Sequence, residues 1–130
     1  MLKRVIFYID GFNFYHGLSA ASKEDWTWRK FYWLDFIKLA NQFLDPKIHQ
    51  LIAVKYFTAQ PLEPGKQMRQ ALLFKANYFI NNNKFIVING KYYKKNIKCK
   101  NCGKSFKIHE EKRTDVNISV EIMRDACKMR

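Results

Sequence analysis

Residues 5–14 read VIFYIDGFNF, and everything downstream takes its place from this run. The β-branched and aromatic residues Val5 to Ile9 lead straight into Asp-Gly-Phe-Asn, so the pattern predicts a buried strand ending in a turn that carries a carboxylate and an amide. In open α/β sheets ligands bind outside the carboxyl ends of the strands, and Gly11 permits the sharp backbone path that leaves Asp10 and Asn13 both facing such a crevice. The plainer alternative is an ordinary Asp-Gly turn.

Leu34, Ile37, Leu39, Ala40, Phe43 and Leu44 recur at near-helical spacing and predict a first helix over about 30–44, stopped by Asp45-Pro46. Gln50 to Thr58, QLIAVKYFT, is a near-continuous apolar run of strand length, as an inner parallel strand requires. After the Pro61, Pro64 and Gly65 loop, Met68, Ala71, Leu72, Lys75, Ala76, Phe79 and Ile80 mark a second helix that ends at Asn81-Asn82-Asn83. Phe85 to Asn89 forms a third strand closed by Gly90. This β-α-β-α-β order argues for an α/β fold with a right-handed, doubly wound, mainly parallel sheet. Residues 91–109 break the alternation as a basic hairpin or knuckle built on Cys99-x-x-Cys102-Gly. Thr114 then caps a last helix whose Val116, Val120, Ile122 and Met123 supply apolar contacts.

The 130 residues, 48% of them hydrophobic, make one domain spanning 1–130 with a real core. No apolar run is long enough for a membrane span, and no signal-peptide pattern precedes the first strand, which points to the cytosol. The three cysteines do not make a secreted disulfide framework. A net charge of +13, from 24 Lys and Arg against 11 Asp and Glu, makes polyanions the natural partners. Much of the excess falls in residues 84–113, where only Glu110 and Glu111 oppose it; a merely solvated face is the alternative. Trp26, Trp28, Phe31, Tyr32 and Trp33 either stack on bases or fill the core edge, and their irregular spacing favours packing.

A doubly wound sheet brings Asp10 and Asp115 to one crevice, where two carboxylates repel unless a cation lies between them. Mg²⁺ suits such a pair, with Asn13 as a neutral oxygen donor; for Asp115 the alternative is a first-turn residue favoured by the helix dipole. Glu121 is an outside candidate and Asp125 reads as a surface residue. Neither G-x-G-x-x-G nor G-x-x-x-x-G-K-[ST] occurs, and Phe12 stands where a haloacid dehalogenase-type enzyme carries a second Asp. Cys99 and Cys102 are half of a zinc ribbon, with His109 and Cys127 as the residues that can complete four ligands. A redox role is weaker, because the pair does not head a helix after a strand. His16 and His49 read as incidental.

YIDGFNFYHGL at 8–18, with EEKRTDVNISVEIMRDA at 110–126 and the CxxCG just before it, resembles the NYN domain family, a branch of the PIN-like nucleases, over essentially all of the chain. The resemblance implies a PIN-like α/β/α sandwich and a Mg²⁺- or Mn²⁺-dependent endoribonuclease. Matched residue by residue, Asp10 is the family's first acidic position, Asn13 its amide partner and Asp115 its second acidic position. Family members continue into a strand and an S-G-D-S-D-F-like motif with further metal carboxylates. This sequence stops before that motif, so a domain truncated before its fourth strand, with weak metal binding and low activity, is expected. Lys94, Lys95, Lys98, Lys100, Lys104, Lys107, Lys112 and Arg113 would neutralise the backbone of a single-stranded RNA. The competing reading is a non-catalytic nucleic-acid-binding module that stacks bases on Tyr92, Tyr93 and Phe106. A homo-oligomer is compatible with either.

Overall fold

A computed structural model describes residues 1–112 and 114–128, and the side chains of all of these except 82, 91–95 and 108–112. Its elements are β1 (Lys3–Asp10), α1 (Gly11–Glu24), a 3₁₀ helix (Trp26–Trp33), α2 (Phe36–Asn41), β2 (His49–Ala59), α3 (Pro64–Asn81), β3 (Phe85–Lys98), β4 (Ser105–Lys112) and α4 (Thr114–Lys128), with a 3₁₀ turn at Asn82–Lys84. β2 lies between β1 and β3 and is parallel to both, with Asp10 opposite Phe57 and Phe57 opposite Ile88. β2 is buried along most of its length, as its apolar sequence requires. One irregularity interrupts its pairing with β1, between Val5 and Ile6, where Ile52 is the extra residue. That bulge lets Leu51 point to the same side as Val54 and Tyr56 despite the odd spacing.

The main core lies on that side. Phe36 and Ile37 of α2, Phe74 of α3 and Phe85 of β3 gather on Val54 and Tyr56, with the Phe36 and Phe85 rings stacked at 5.5 Å. α1, α2 and α3 cover this face, while α4 crosses the other. The α/β class and parallel sheet therefore stand. The order β1-β2-β3-β4 advances in one direction, however, so the reversal of a doubly wound sheet is absent among the described residues. β3 does not stop at Gly90. It leaves β2 there and pairs on with β4, antiparallel, from Lys91 opposite Lys112 to Lys98 opposite Ser105. The basic insertion is thus a two-stranded hairpin, and the fourth strand of the sheet is its return arm. No described helix is long and apolar enough to cross a membrane.

Three sequence expectations are corrected. Helix begins at Gly11, not near residue 30, because Asp10 caps α1 instead of closing a turn. The inner side of α1 offers few large apolar residues, Phe14 and Leu18, so its periodicity is weak. The helix expected over 30–44 is two pieces: the 3₁₀ helix ends at Trp33, and Asp35 caps α2, accepting from the N–H groups of Ile37 (3.0 Å) and Lys38 (3.2 Å). The apolar stripes that marked α3 and α4 face outward. Phe79 is 87% exposed, and Met68, Leu72, Val116, Val120, Ile122 and Met123 are exposed with it.

Phe74 takes the inner side of α3, and polar residues share the inner sides of both helices. Buried Asn77 of α3 accepts from the Phe36 N–H (2.9 Å) and donates to the carbonyls of Leu34 and Leu73 (3.0 Å each), tying α3 to the start of α2. Asn77→Leu keeps the volume but strands the Phe36 donor and the Leu34 acceptor. The expected loss in urea unfolding is about 2–3 kcal/mol; an unchanged midpoint would mean that the cross-link contributes nothing.

Candidate functional site

Asp10 ends β1 at the carboxyl edge of the sheet, and its two oxygens are held by one residue. Oδ1 accepts from the Asn13 backbone N–H at 3.2 Å and Oδ2 from the Asn13 side-chain Nδ2 at 2.9 Å. The amide's Oδ1 is left over as a neutral donor beside the carboxylate. Gly11, next in the chain, is buried because α1 starts hard against β2. A Cβ there would lie 2.7 Å from the Phe57 carbonyl oxygen and nearer still to the Tyr56 ring. The glycine therefore serves a close approach, and its backbone is not left-handed; Gly103 alone has positive φ among the described glycines.

Alternation along β1 sends Ile9 to the main core and Tyr8 to the α4 side, and at the end of the strand Asp10 turns to cap α1. On that side lies a charge cluster that sequence reasoning missed. Lys55 of β2 meets Asp125 Oδ2 at 2.7 Å and Glu121 Oε2 at 2.8 Å, and the Tyr8 hydroxyl donates to Asp125 Oδ2 at 2.7 Å. Asp125 is 8% exposed, so it is a buried anchor and not a surface residue. Burial works against the charge of both partners. Even so, hydrogen bonds from Lys55 and Tyr8 hold the Asp125 carboxyl below its usual range, and those to Asp125 and Glu121 hold the Lys55 ammonium above its own. Burial, then the bond to Asp125, pushes the Tyr8 phenol up. The signal was in the sequence: a lone lysine inside an apolar inner strand, and an acidic pair four residues apart on a helix.

This cluster fixes how α4 lies. From Asp125 the helix rises about 15 Å to Asp115, towards the carboxyl ends of the strands, where Asn117 Nδ2 donates to the Asn89 carbonyl at 3.4 Å. Asp115 is exposed in the first turn of α4. Asp10 and Asp115 thus lie at the same end of the sheet, on β1 and on a helix that crosses β2 and β3. Two carboxylates and an amide oxygen form a hard donor set that suits Mg²⁺ or Mn²⁺ in the company of waters and phosphate oxygens. Among the described residues no three His, Cys, Asp or Glu side chains come together.

At the hairpin tip Gly103, at φ +71°, lets its N–H reach the Cys99 carbonyl at 2.9 Å. Backbone N–H groups of Cys102 and Asn101, then the Cys102 side chain, hold the Cys99 thiol below its usual range. Cys102 and Cys127 are exposed, Cys127 on α4, and the His109 side chain lies outside the described residues. The two thiols of the tip supply half of a tetrahedral zinc set. Lys98, Lys100, Lys104 and Lys107 are exposed along the hairpin. The side chains of Tyr92, Tyr93, Lys94, Lys95 and Lys112, and the whole of Arg113, lie outside the described residues.

A cleft of about 950 Å³ opens between α1, the Trp26–Trp33 helix and α3, floored by Tyr56 and Thr58 at the end of β2. It reaches Gly11 and Phe12, directly after Asp10. Trp26, Trp28 and Trp33 are exposed, so the expectation that this aromatic run packs the core edge fails for its tryptophans. A 3₁₀ helix brings side chains at i and i+3 into line and cannot bury all the rings of so short a run.

Comparison with known protein families, curated proteins and solved structures gives no match to this chain.

The Lys55 cluster carries a pH signature. The depressed Asp125 contributes stability above the unfolded carboxylate range, lost as pH falls through its folded value. The raised Lys55 contributes below the unfolded lysine range, lost as pH rises through its folded value. Lys55→Met leaves Asp125 buried without its cation, while Glu121 keeps Arg124, and is expected to cost about 3 kcal/mol at pH 7. The gap to wild type should shrink as pH falls and Asp125 takes up its proton. Denaturant melts at pH 7 and pH 3 measure both numbers, and a gap that stays constant would exclude the ion pair as its source.

Proposed function

We propose that this chain is a metal-dependent endoribonuclease of the NYN type, with a PIN-like fold, in which Asp10, Asn13 and Asp115 hold Mg²⁺ or Mn²⁺ against a phosphodiester of single-stranded RNA. The observation that carries the reading is that Asp10 closes β1 and Asp115 opens α4 at the same, carboxyl end of the parallel strands. When bound, the ion supplies Lewis acidity and a water of lowered pKa. Asn13 pins both oxygens of Asp10 and so fixes the plane of the carboxylate before any ion arrives. That arrangement shortens the reorganisation needed for binding. The charge supports an anionic substrate, since +13 is far more than solubility requires. The exposed hairpin lysines add long-range attraction for phosphates. Two carboxylates give little charge to fix an ion, so its affinity depends on substrate phosphates, and slow cutting follows.

The test is cleavage of end-labelled single-stranded RNA with Mg²⁺ or Mn²⁺, with and without EDTA. Asp10→Asn removes the charge but keeps a side chain that caps helices as well as Asp does, so α1 survives. The variant is expected to lose at least about 100-fold in rate, roughly 3 kcal/mol of barrier. Slow, EDTA-sensitive cleavage that disappears in Asp10→Asn and in Asp115→Asn supports the reading. Activity that persists in both variants overturns it. Tight RNA binding with no cleavage by wild type moves the assignment to a binding module.

A further inference from the structure

The cleft between α1, the Trp26–Trp33 helix and α3 belongs to none of the carboxylate chemistry, yet its lining is unusual. Phe12, Tyr15 and Trp33 turn exposed ring surface towards it, Trp33 being 56% and Tyr15 44% exposed. Lys23, Arg29 and Arg69 line it with no acidic partner among the described residues. Lys66 also reaches it but is shared with Glu63 at 3.5 Å, and Glu63 is the cleft's one acidic residue. The cleft is therefore cationic and aromatic together.

That combination selects its ligand. An acidic peptide satisfies the cations and leaves the rings without a planar partner. A duplex presents phosphates but keeps its base faces inside the stack. A single strand of nucleic acid offers both, with bases that stack on rings and phosphates that pair with Lys and Arg. We infer that this cleft is the channel for the unpaired bases of a single strand. The strand leaves it past Phe12, two residues after Asp10. The inference rests on the nuclease reading for that exit towards Asp10, while occupancy of the cleft is independent of cutting. It also divides the labour between the two basic surfaces, since the hairpin lysines supply charge and the cleft supplies recognition of unpaired bases.

Binding is read in EDTA, where no metal chemistry takes place, by the anisotropy of a short fluorescein-labelled RNA over a range of salt. Trp33→Ala should weaken binding about tenfold with little change in the salt slope, because stacking releases no counterions. Arg29→Gln with Arg69→Gln should flatten the slope of log affinity against log salt by about 1.4 for two lost phosphate contacts. All three side chains are exposed, so the fold is not at stake. Unlabelled single strand should displace the probe far better than duplex RNA or polyglutamate does. The inference is overturned if Trp33→Ala binds as wild type, if duplex or polyglutamate competes equally, or if only Lys98→Gln with Lys100→Gln changes the slope. The Asp10→Asn cleavage assay is separate. Cleft-dependent binding without Asp10-dependent cleavage removes the nuclease reading alone, and the reverse pattern removes the cleft alone.

Discussion

A lysine in the middle strand, held between two carboxylates of the last helix, sets the geometry at the working end of the sheet. α4 meets β1, β2 and β3 with Thr114, Asn117, Glu121 and Asp125, with Ile118 half-buried beside them and Val116, Val120, Ile122 and Met123 turned outward. Hydrophobic burial is non-directional and would let such a helix slide or roll. Lys55 acts differently, because it must meet Glu121 and Asp125 at once, and these lie one turn apart on the helix. Sliding α4 by one turn would bring Lys55 to a different pair of positions and leave Asp125 buried without a cation. Buried ion pairs are often no better than apolar packing for net stability. What this one contributes is register, and register puts Asp115 at the end of the sheet where Asp10 stands.

The other half of the site depends on a contact with no room to spare. Because α1 starts against the Phe57 carbonyl and the Tyr56 ring, only glycine fits at position 11. The same closeness turns Asp10 from the end of a strand into the cap of a helix. A carboxylate at a helix N-terminus sits where backbone N–H groups favour negative charge. Asn13 completes the arrangement with two contacts from one residue, so Asp10 is rigid without being buried away from a ligand.

These dependencies explain which parts of the molecule were legible in the sequence. β2, α3 and the hairpin each have a strong local signal, in the Gln50–Thr58 run, the loop residues before residue 66, and the CxxCG. Their existence was readable, but the orientation of the helices was not. Periodicity shows that a helix carries an apolar stripe and leaves open whether the stripe or its opposite side meets the sheet. In α3 and α4 the inner side is held by Asn77 and by the Lys55 cluster. These are partnerships between residues 41 to 117 positions apart, and no window of sequence displays them. Asp10 and Asn13 were legible as site candidates because their interaction is local. Asp125 was misread because its partner lies on another element.

Outward apolar stripes have a consequence for how charge is distributed. With Met68, Leu72 and Phe79 on the outside of α3 and Val116, Val120 and Met123 on the outside of α4, the flanks of the sandwich are poor places for a polyanion to dock. The cations concentrate elsewhere, on the hairpin and around the cleft. The paired hairpin arms continue for about 26 Å beyond the strand-β2 contact, further than a Debye length at physiological salt. The tip lysines Lys98, Lys100 and Lys104 therefore lie more than a Debye length from the sheet the hairpin grows from. Among the described side chains the hairpin carries the exposed Lys98, Lys100, Lys104 and Lys107 with a single exposed ring, Phe106. The cleft adds ring surface, which salt does not screen, and it adjoins Asp10 through Gly11 and Phe12. On the proposed reading, a strand caught first by the hairpin gains further binding only where its bases are unpaired. In this fold that gain is available beside the carboxylate end of the sheet.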